Sequence, residues 1–237
     1  LLVTFAASVT SVLKPVRVLN FDLLFHLGSH IIFLAVFLLT TLDRNIGSIF
    51  ILFFIFYLYK SFQNSNTENL DEIKLEKDFF SNISYKKPLK FGAPVIIFSI
   101  TITLLGADLT VDSAIKISQI LDISDSFVGL TIIALGTSLP EIATSITASK
   151  RGKSDIIIGN IIGSNIYNLL LILGFTSLFE NFSYDKQLLS KDVIILFLSA
   201  VFFSFLIFYK VKIGKSLGIT CFLAYLVYLS YLFTTNF

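Results

Sequence analysis

The chain has no methionine and no tryptophan, a single cysteine and two histidines, and only 14% of its residues are charged. Each shortage excludes something. One cysteine, Cys221, cannot close a disulfide within the chain, and it stands apart from any metal-type spacing. Soluble domains average roughly 25% charged residues. With 55% apolar residues and a mean hydropathy of +0.85, an ordinary soluble fold is ruled out. The net charge of +2 comes with no basic tract interleaved with aromatics, so nucleic acid is not an expected partner. No His-Glu-x-x-His pattern and no nucleophile–base pair is present, and no enzymatic activity or cofactor is expected. There is no three-part signal peptide. The opening "LLVTFAASVTSVLKPVR", without an initiator methionine, reads as the last half of a span followed by a basic loop. The expectation is the C-terminal portion of a longer protein.

What is present is a series of charge-free windows: 23–42, 45–59, 91–107, 156–179, 193–209 and 216–237. A helix crossing the hydrocarbon needs about 17–25 apolar residues, so these windows, with 126–149 and its single glutamate, predict about seven spans. Apart from Lys116, which lies in a span or near its end, lysine and arginine sort between alternate connections. One set of loops holds fourteen: Lys14 and Arg17, the six from Lys60 to Lys90, Lys150, Arg151 and Lys153, and Lys210, Lys212 and Lys215. The other set holds only Arg44, Lys186 and Lys191. The first set is expected to be cytoplasmic and the C-terminus outside. The polar segment 63–88 reads as a cytoplasmic loop dividing a front piece, 1–62, from a back piece, 89–237. The front piece ("LLVTFAASV", then a span starting near Asp22) loosely matches the end of the back piece ("LLILGFTSL", then a span starting near Asp192). Transporters are often built from two such blocks in inverted topology.

Within "GLTIIALGTSLPEIATSITAS" the six residues "GTSLPE" oppose a plain membrane helix. Pro140 has no N–H for the carbonyl of Gly136 and pushes it aside. Gly136 removes bulk, so that the backbone can be approached. Thr137 and Ser138 add hydroxyl oxygens, and Glu141 adds a carboxylate that is costly at this depth unless it meets a cation or a proton. These oxygens span about one and a half turns and suit Ca2+ or Na+. A plain ion pair is the bland alternative, yet no predicted span carries a basic residue at matching depth.

In the next span, "DIIIGNIIGSNIYNLLLILGF", Asn160, Ser164 and Asn168 share a helix face. Gly159 and Gly163 form a G-x-x-x-G that predicts close approach of another helix. Asn160 and Ser164 are the better ligand candidates; Asn165 and Asn168 are equally well read as packing. The two spans predict a hairpin closed by "KRGKSD". Asp108 and Asp112 read as solvated interfacial acids before an ion entrance. His26 and His30 read as packing or snorkelling side chains before a metal pair. "NIS" (82–84) and "NFS" (181–183) matter only in a secretory context.

The stretch "GLTIIALGTSLPEIATSITASKRGKSDIIIGNIIGSNIYNLLLILG", preceded by "LLGADLTVDSAIKISQILDIS", closely resembles the second alpha repeat of the calcium/cation antiporter superfamily, the sodium/calcium exchangers and their prokaryotic relatives. The resemblance implies an all-α polytopic membrane protein, an exchanger-like inverted-repeat bundle with about seven to eight of about ten transmembrane helices here. It places the alpha repeat at about 105–178. It implies that Gly136, Thr137, Ser138 and Glu141 bind ions together with Asn160 and Ser164. The implied activity is exchange of Ca2+ for Na+ by alternating access in the cell (inner) membrane, with the cations and the lipid bilayer as partners. Some family members carry an aspartate at the position of Asn160, so Na+, H+ and K+ all stay open as coupling ions. The first alpha repeat, expected in an N-terminal half outside this chain, would supply the partner of Glu141. A non-transporting remnant lacking that repeat is the alternative.

Overall fold

The structure is a computed structural model and describes residues 2–10, 12–13, 20–68, 89–121, 128–179 and 186–236. The regular structure described is helical: α1 (Leu2–Thr10), α2 (Asn20–Leu39), α3 (Arg44–Glu68), α4 (Leu89–Leu121), α5 (Ala134–Lys150), α6 (Ser154–Ile166), α7 (Leu173–Phe179), α8 (Lys186–Phe208) and α9 (Lys215–Asn236). Two π-wound segments join these helices. Gly129–Ile133 leads into α5, and Tyr167–Ile172 connects α6 to α7. Five stretches among the described residues are long and apolar enough to cross a bilayer: Phe21–Leu39, Arg44–Asn64, Ser154–Phe179, Ser190–Phe208 and Lys215–Thr234. They coincide with five of the predicted spans, and the other two windows fall on α4 and on the stretch ending in α5. The chain is therefore an all-α polytopic membrane protein. The segment read as a loop from residue 63 begins as helix, because α3 continues to Glu68. The rest of that segment, and both sequons, lie outside the described residues.

The chain divides into two compact units, Leu1–Asn66 with Pro140–Tyr225, and Thr67–Leu139 with Leu226–Phe237. In the first unit α2 packs most extensively on α8, and it also contacts α6 and the π segment that follows. Ile157, Ile162, Ile166, Leu170 and Leu206 lie in the buried cluster of these helices, together with Phe50 of α3. Two close crossings need glycine. A Cβ on Gly47 of α3 would come within 2.6 Å of the Gly174 carbonyl oxygen and 2.8 Å of Ser177 Cβ on α7. A Cβ on Gly218 of α9 would come within 2.8 Å of Ser8 Cβ on α1 and would overlap Ser8 Oγ. The two crossings are counterparts. The match of "LLVTFAASV" to "LLILGFTSL" pairs Ser8 with Ser177, and each serine meets the fourth residue of its partner helix. A front-piece serine packs on a back-piece helix and the reverse, the reciprocal pattern that a pseudo-two-fold axis generates.

The connections also sort by end. Leu13 and Ile213 exchange backbone hydrogen bonds (2.9 and 3.2 Å), and Ser149 Oγ donates to the Ala7 carbonyl at 2.7 Å. The segments that follow α1, α5 and α8, all from the lysine-rich set, thus meet at one end. At the other end Arg44 Nε donates to the Leu178 carbonyl at 3.0 Å. For the connections that the described residues reach, the grouping read from charge is the grouping in space.

Helix α5 closes with a left-handed glycine. Gly152 has φ 69°, its N–H reaches the Ser149 carbonyl (2.9 Å), and Lys153 N–H reaches the Ala148 carbonyl (3.0 Å). This paired pattern satisfies the last carbonyls and turns the chain back into α6, the predicted hairpin. α8 ends in the same pattern around Lys210, a non-glycine residue at φ 52°. One expectation is corrected. A Cβ added to Gly159 or Gly163 meets nothing within 4 Å, so among the described residues no helix uses that G-x-x-x-G for close approach. The tight crossings fall instead where two helix backbones converge, at Gly47 with Gly174 and at Gly218.

Candidate cation site

α5 is helical through Pro140. The ring removes one donor from the ladder, and the hydroxyl side chains around it turn their protons onto backbone carbonyls. Thr137 Oγ1 and Ser138 Oγ both donate to the Ala134 carbonyl, at 3.1 and 2.9 Å. Thr144 Oγ1 lies 3.0 Å from the carbonyls of both Pro140 and Glu141. A hydroxyl that donates to its own backbone keeps its lone pairs for an outside donor or a cation. The boundary between the two units falls inside α5, between Leu139 and Pro140. Gly136, Thr137 and Ser138 stand in the second unit, and Glu141, Asn160 and Ser164 in the first. A Cβ on Gly136 meets nothing within 4 Å.

Glu141 is partly buried, and its Oε2 is the one buried side-chain polar atom, among the described residues, without a hydrogen-bond partner. A carboxylate oxygen can only accept, so this atom has use for a proton donor or a cation. On the antiparallel neighbour α6, Asn160 Nδ2 lies 3.3 Å from Thr144 Oγ1 and 3.5 Å from Ser145 Oγ. One turn back along α5 leads from Thr144 to Glu141. One turn on along α6 leads from Asn160 to Gly163 and Ser164, so the hairpin's register sets Ser164 near the level of Glu141. Ser164 Oγ donates to the Ile161 carbonyl at 3.2 Å, which again leaves its lone pairs available.

Sequence reading missed Thr144 and Ser145. The signal was there, since they follow Glu141 at the three- and four-residue helical spacing in "EIATSITAS". It also left Asn165 undecided. Asn165 Nδ2 lies 3.2 Å from His26 Nε2, and His26 Nδ1 lies 3.1 Å from Ser204 Oγ. His26 and His30 are buried, so they pack and do not snorkel. Asn168 is exposed in the π segment, and Asp112 is exposed on α4; the side chain of Asp108 is outside the described residues. Among the described residues no three His, Cys, Asp or Glu side chains gather as a metal cluster. The oxygens of Glu141, Thr144, Asn160 and Ser164, all in the first unit, are of the hard, single-carboxylate kind, suited to alkali or alkaline-earth cations and not to a resident transition metal.

A helical membrane bundle with crossed repeat contacts, and with a proline, hydroxyls and a carboxylate on one of its helices, has the build of a polytopic membrane protein of the transporter kind. Residues 91–234 match the sodium/calcium exchanger protein family, and the chain belongs to it. It is 33% identical over 151 residues to inner membrane protein YrbG of Escherichia coli, covering 62% of this chain and 46% of that protein. It is 39% identical over 109 residues to the sodium/calcium exchanger MaX1 of Methanosarcina acetivorans, covering 46% of this chain and 31% of that protein. A structure of the sodium-calcium exchanger NCX_Mj soaked with Na+ and Sr2+ superposes with a TM-score of 0.68 at 27% identity, covering 97% of this chain and 71% of the other. The chain spans about half, or less, of the length of the two relatives.

Proposed function

We propose that this chain supplies one half of a secondary active antiporter that exchanges Ca2+ for Na+ by alternating access. The observation that carries this reading is the buried, unpartnered Oε2 of Glu141, one turn from the Thr144–Asn160 contact. Glu141 provides the charge that a cation meets. Thr137 and Ser138 provide hydroxyl lone pairs, the Gly136 carbonyl provides a backbone oxygen, and Asn160 and Ser164 contribute from the facing helix. Ca2+ and several Na+ ions compete for these overlapping oxygens, so that release of one admits the other and the Na+ gradient drives Ca2+ out.

One carboxylate offsets half the charge of Ca2+. A first alpha repeat is therefore proposed to bring a second carboxylate, and the open surface over Gly159 and Gly163 is a face where its helices fit. The lysine-rich end is proposed to be cytoplasmic, with the C-terminus outside, following the positive-inside rule. The membrane is proposed to be the cell (inner) membrane, in line with the likeness to YrbG.

The test is Ca2+ uptake into vesicles carrying this chain together with the proposed first alpha repeat, with and without an outward Na+ gradient. Uptake is expected to follow the Na+ gradient and to be lost in Glu141→Gln; unchanged gradient-driven flux in that variant would show the site to be wrong. A second coupling deserves its own arm. The chain is 34% identical over 117 residues to human sodium/potassium/calcium exchanger 5, so K+ and H+ gradients are imposed separately. A protein that moves no Ca2+ under any gradient and gains no thermal stability from Ca2+ or Na+ is a non-transporting remnant.

A further inference from the structure

We propose that His26 is a positioning residue for the cation site: through Asn165 it holds α6 in the rotational register that presents Ser164. The role of Ser164 rests on the antiporter reading above; the contacts do not. His26 sits fully buried on α2, with Nδ1 at 3.1 Å from Ser204 Oγ on α8 and Nε2 at 3.2 Å from Asn165 Nδ2 on α6. One ring ties three helices. The Asn165 NH2 group can only donate, so Nε2 accepts and the ring proton sits on Nδ1, donating to Ser204 Oγ. Turning the Asn165 amide over reverses both roles and keeps both bonds. Either way a neutral imidazole has one donor and one acceptor, and both are used.

Further contacts close around the ring and its backbone. His30 lies beside His26 (ring centroids 4.5 Å) and donates from Nδ1 to the His26 carbonyl at 2.7 Å. Ser29 Oγ donates to the same carbonyl at 2.8 Å, and Phe203 of α8 stands edge-on at 6.5 Å. Tyr57 of α3 bonds Asp22, Tyr167 packs against Phe54, and Asp155 is exposed at the start of α6.

A buried polar group is expensive when its partner is lost, so this contact selects one orientation of α6 against the others. The apolar contacts of α6, through Ile158, Ile162 and Ile166, carry little directional preference by comparison. Successive residues on a helix are about 100° apart. Asn165 anchored to α2 and Asn160 anchored to α5 therefore fix the helix on two sides, and Ser164 is held between them. The anchor also falls just before the helix widens into the π-wound Tyr167–Ile172, where regular winding no longer transmits register.

The experiment measures radiolabelled Ca2+ uptake into the same vesicles, together with nitrogen NMR of ring-labelled histidine. Supporting groups around a bound ion typically change affinity about tenfold or more when removed, so His26→Phe and Asn165→Leu should each raise the KM for Ca2+ about tenfold. Turnover per folded molecule should stay within about twofold, the signature of a binding and not a folding defect. His26→Gln, whose amide reaches the position of Nε2, should recover most of the loss, while Ser204→Ala should have little effect. An unchanged KM in His26→Phe, or equal effects of Ser204→Ala and Asn165→Leu, overturns the proposal. The NMR arm is independent of transport. Asn165→Leu is expected to shift the His26 Nε2 resonance, and an unmoved resonance overturns the contact itself. If the wild-type protein carries no Ca2+, the antiporter reading falls and takes the positioning role with it, while the resonance still decides the contact.

Discussion

Asn160 on α6 places its amide nitrogen 3.3 Å from Thr144 Oγ1 on α5, one turn beyond Glu141. This contact fixes the antiparallel register of the hairpin that carries the candidate site. Thr144 spends its own proton on the backbone at Pro140 and Glu141, so its lone pairs are free to receive the amide. The hydroxyl therefore joins the broken ladder of α5 to the polar face of α6.

Thr144→Val removes that hydroxyl with little change of volume. Asn160 loses its shorter contact, and the apparent affinity for Ca2+ should fall about tenfold, as for other groups that orient ligands. Ser145→Ala, which touches only the longer contact at 3.5 Å, should cost less. Saturation curves of uptake separate the two.

Gly218→Ala drives a methyl group into Ser8, and overpacking of this kind costs about 1–3 kcal/mol. Ser8→Gly removes the obstructing side chain. The double variant should regain most of the thermal midpoint lost by Gly218→Ala, measured in detergent; additive losses would show that the crossing is not there.

Lys210 adopts a left-handed conformation that costs a non-glycine residue about 1–2 kcal/mol. Lys210→Gly should therefore raise the unfolding midpoint, less an entropy loss of up to about 1 kcal/mol from the freer unfolded chain. A lowered midpoint would count against this helix ending.

Gly163→Ala meets open space in this chain and replaces the poorer helix former by the better one. The midpoint of the chain expressed alone should be unchanged or slightly higher. The same substitution in a protein that includes a first alpha repeat should lower it, if that repeat packs on this face as proposed.

Much of the architecture was legible because membrane helices are written in composition. A run such as 193–209 without charge has no alternative in a bilayer but to satisfy its backbone internally as a helix. The hairpin was legible from "KRGKSD", whose glycine closes α5. The candidate cation stretch stood out because a glycine, a proline and a glutamate contradict an oily helix. The failures have a common cause. Gly159 and Gly163 look like a packing motif, yet whether a glycine is crowded depends on which helix lies across it. Gly47 and Gly218 carry no motif and are the crowded ones.

Spacing along the chain therefore determined the helices and the presence of a carboxylate beside hydroxyls on an otherwise oily helix, since these follow from local chemistry and from what a bilayer tolerates. Only the tertiary structure decided the partners: Thr144 for Asn160, and His26 for Asn165 and Ser204. Such pairs join residues far apart in sequence, on helices whose rotation no periodicity specifies. Their energy comes from satisfying buried polar atoms, and that requirement is met only once the helices are packed.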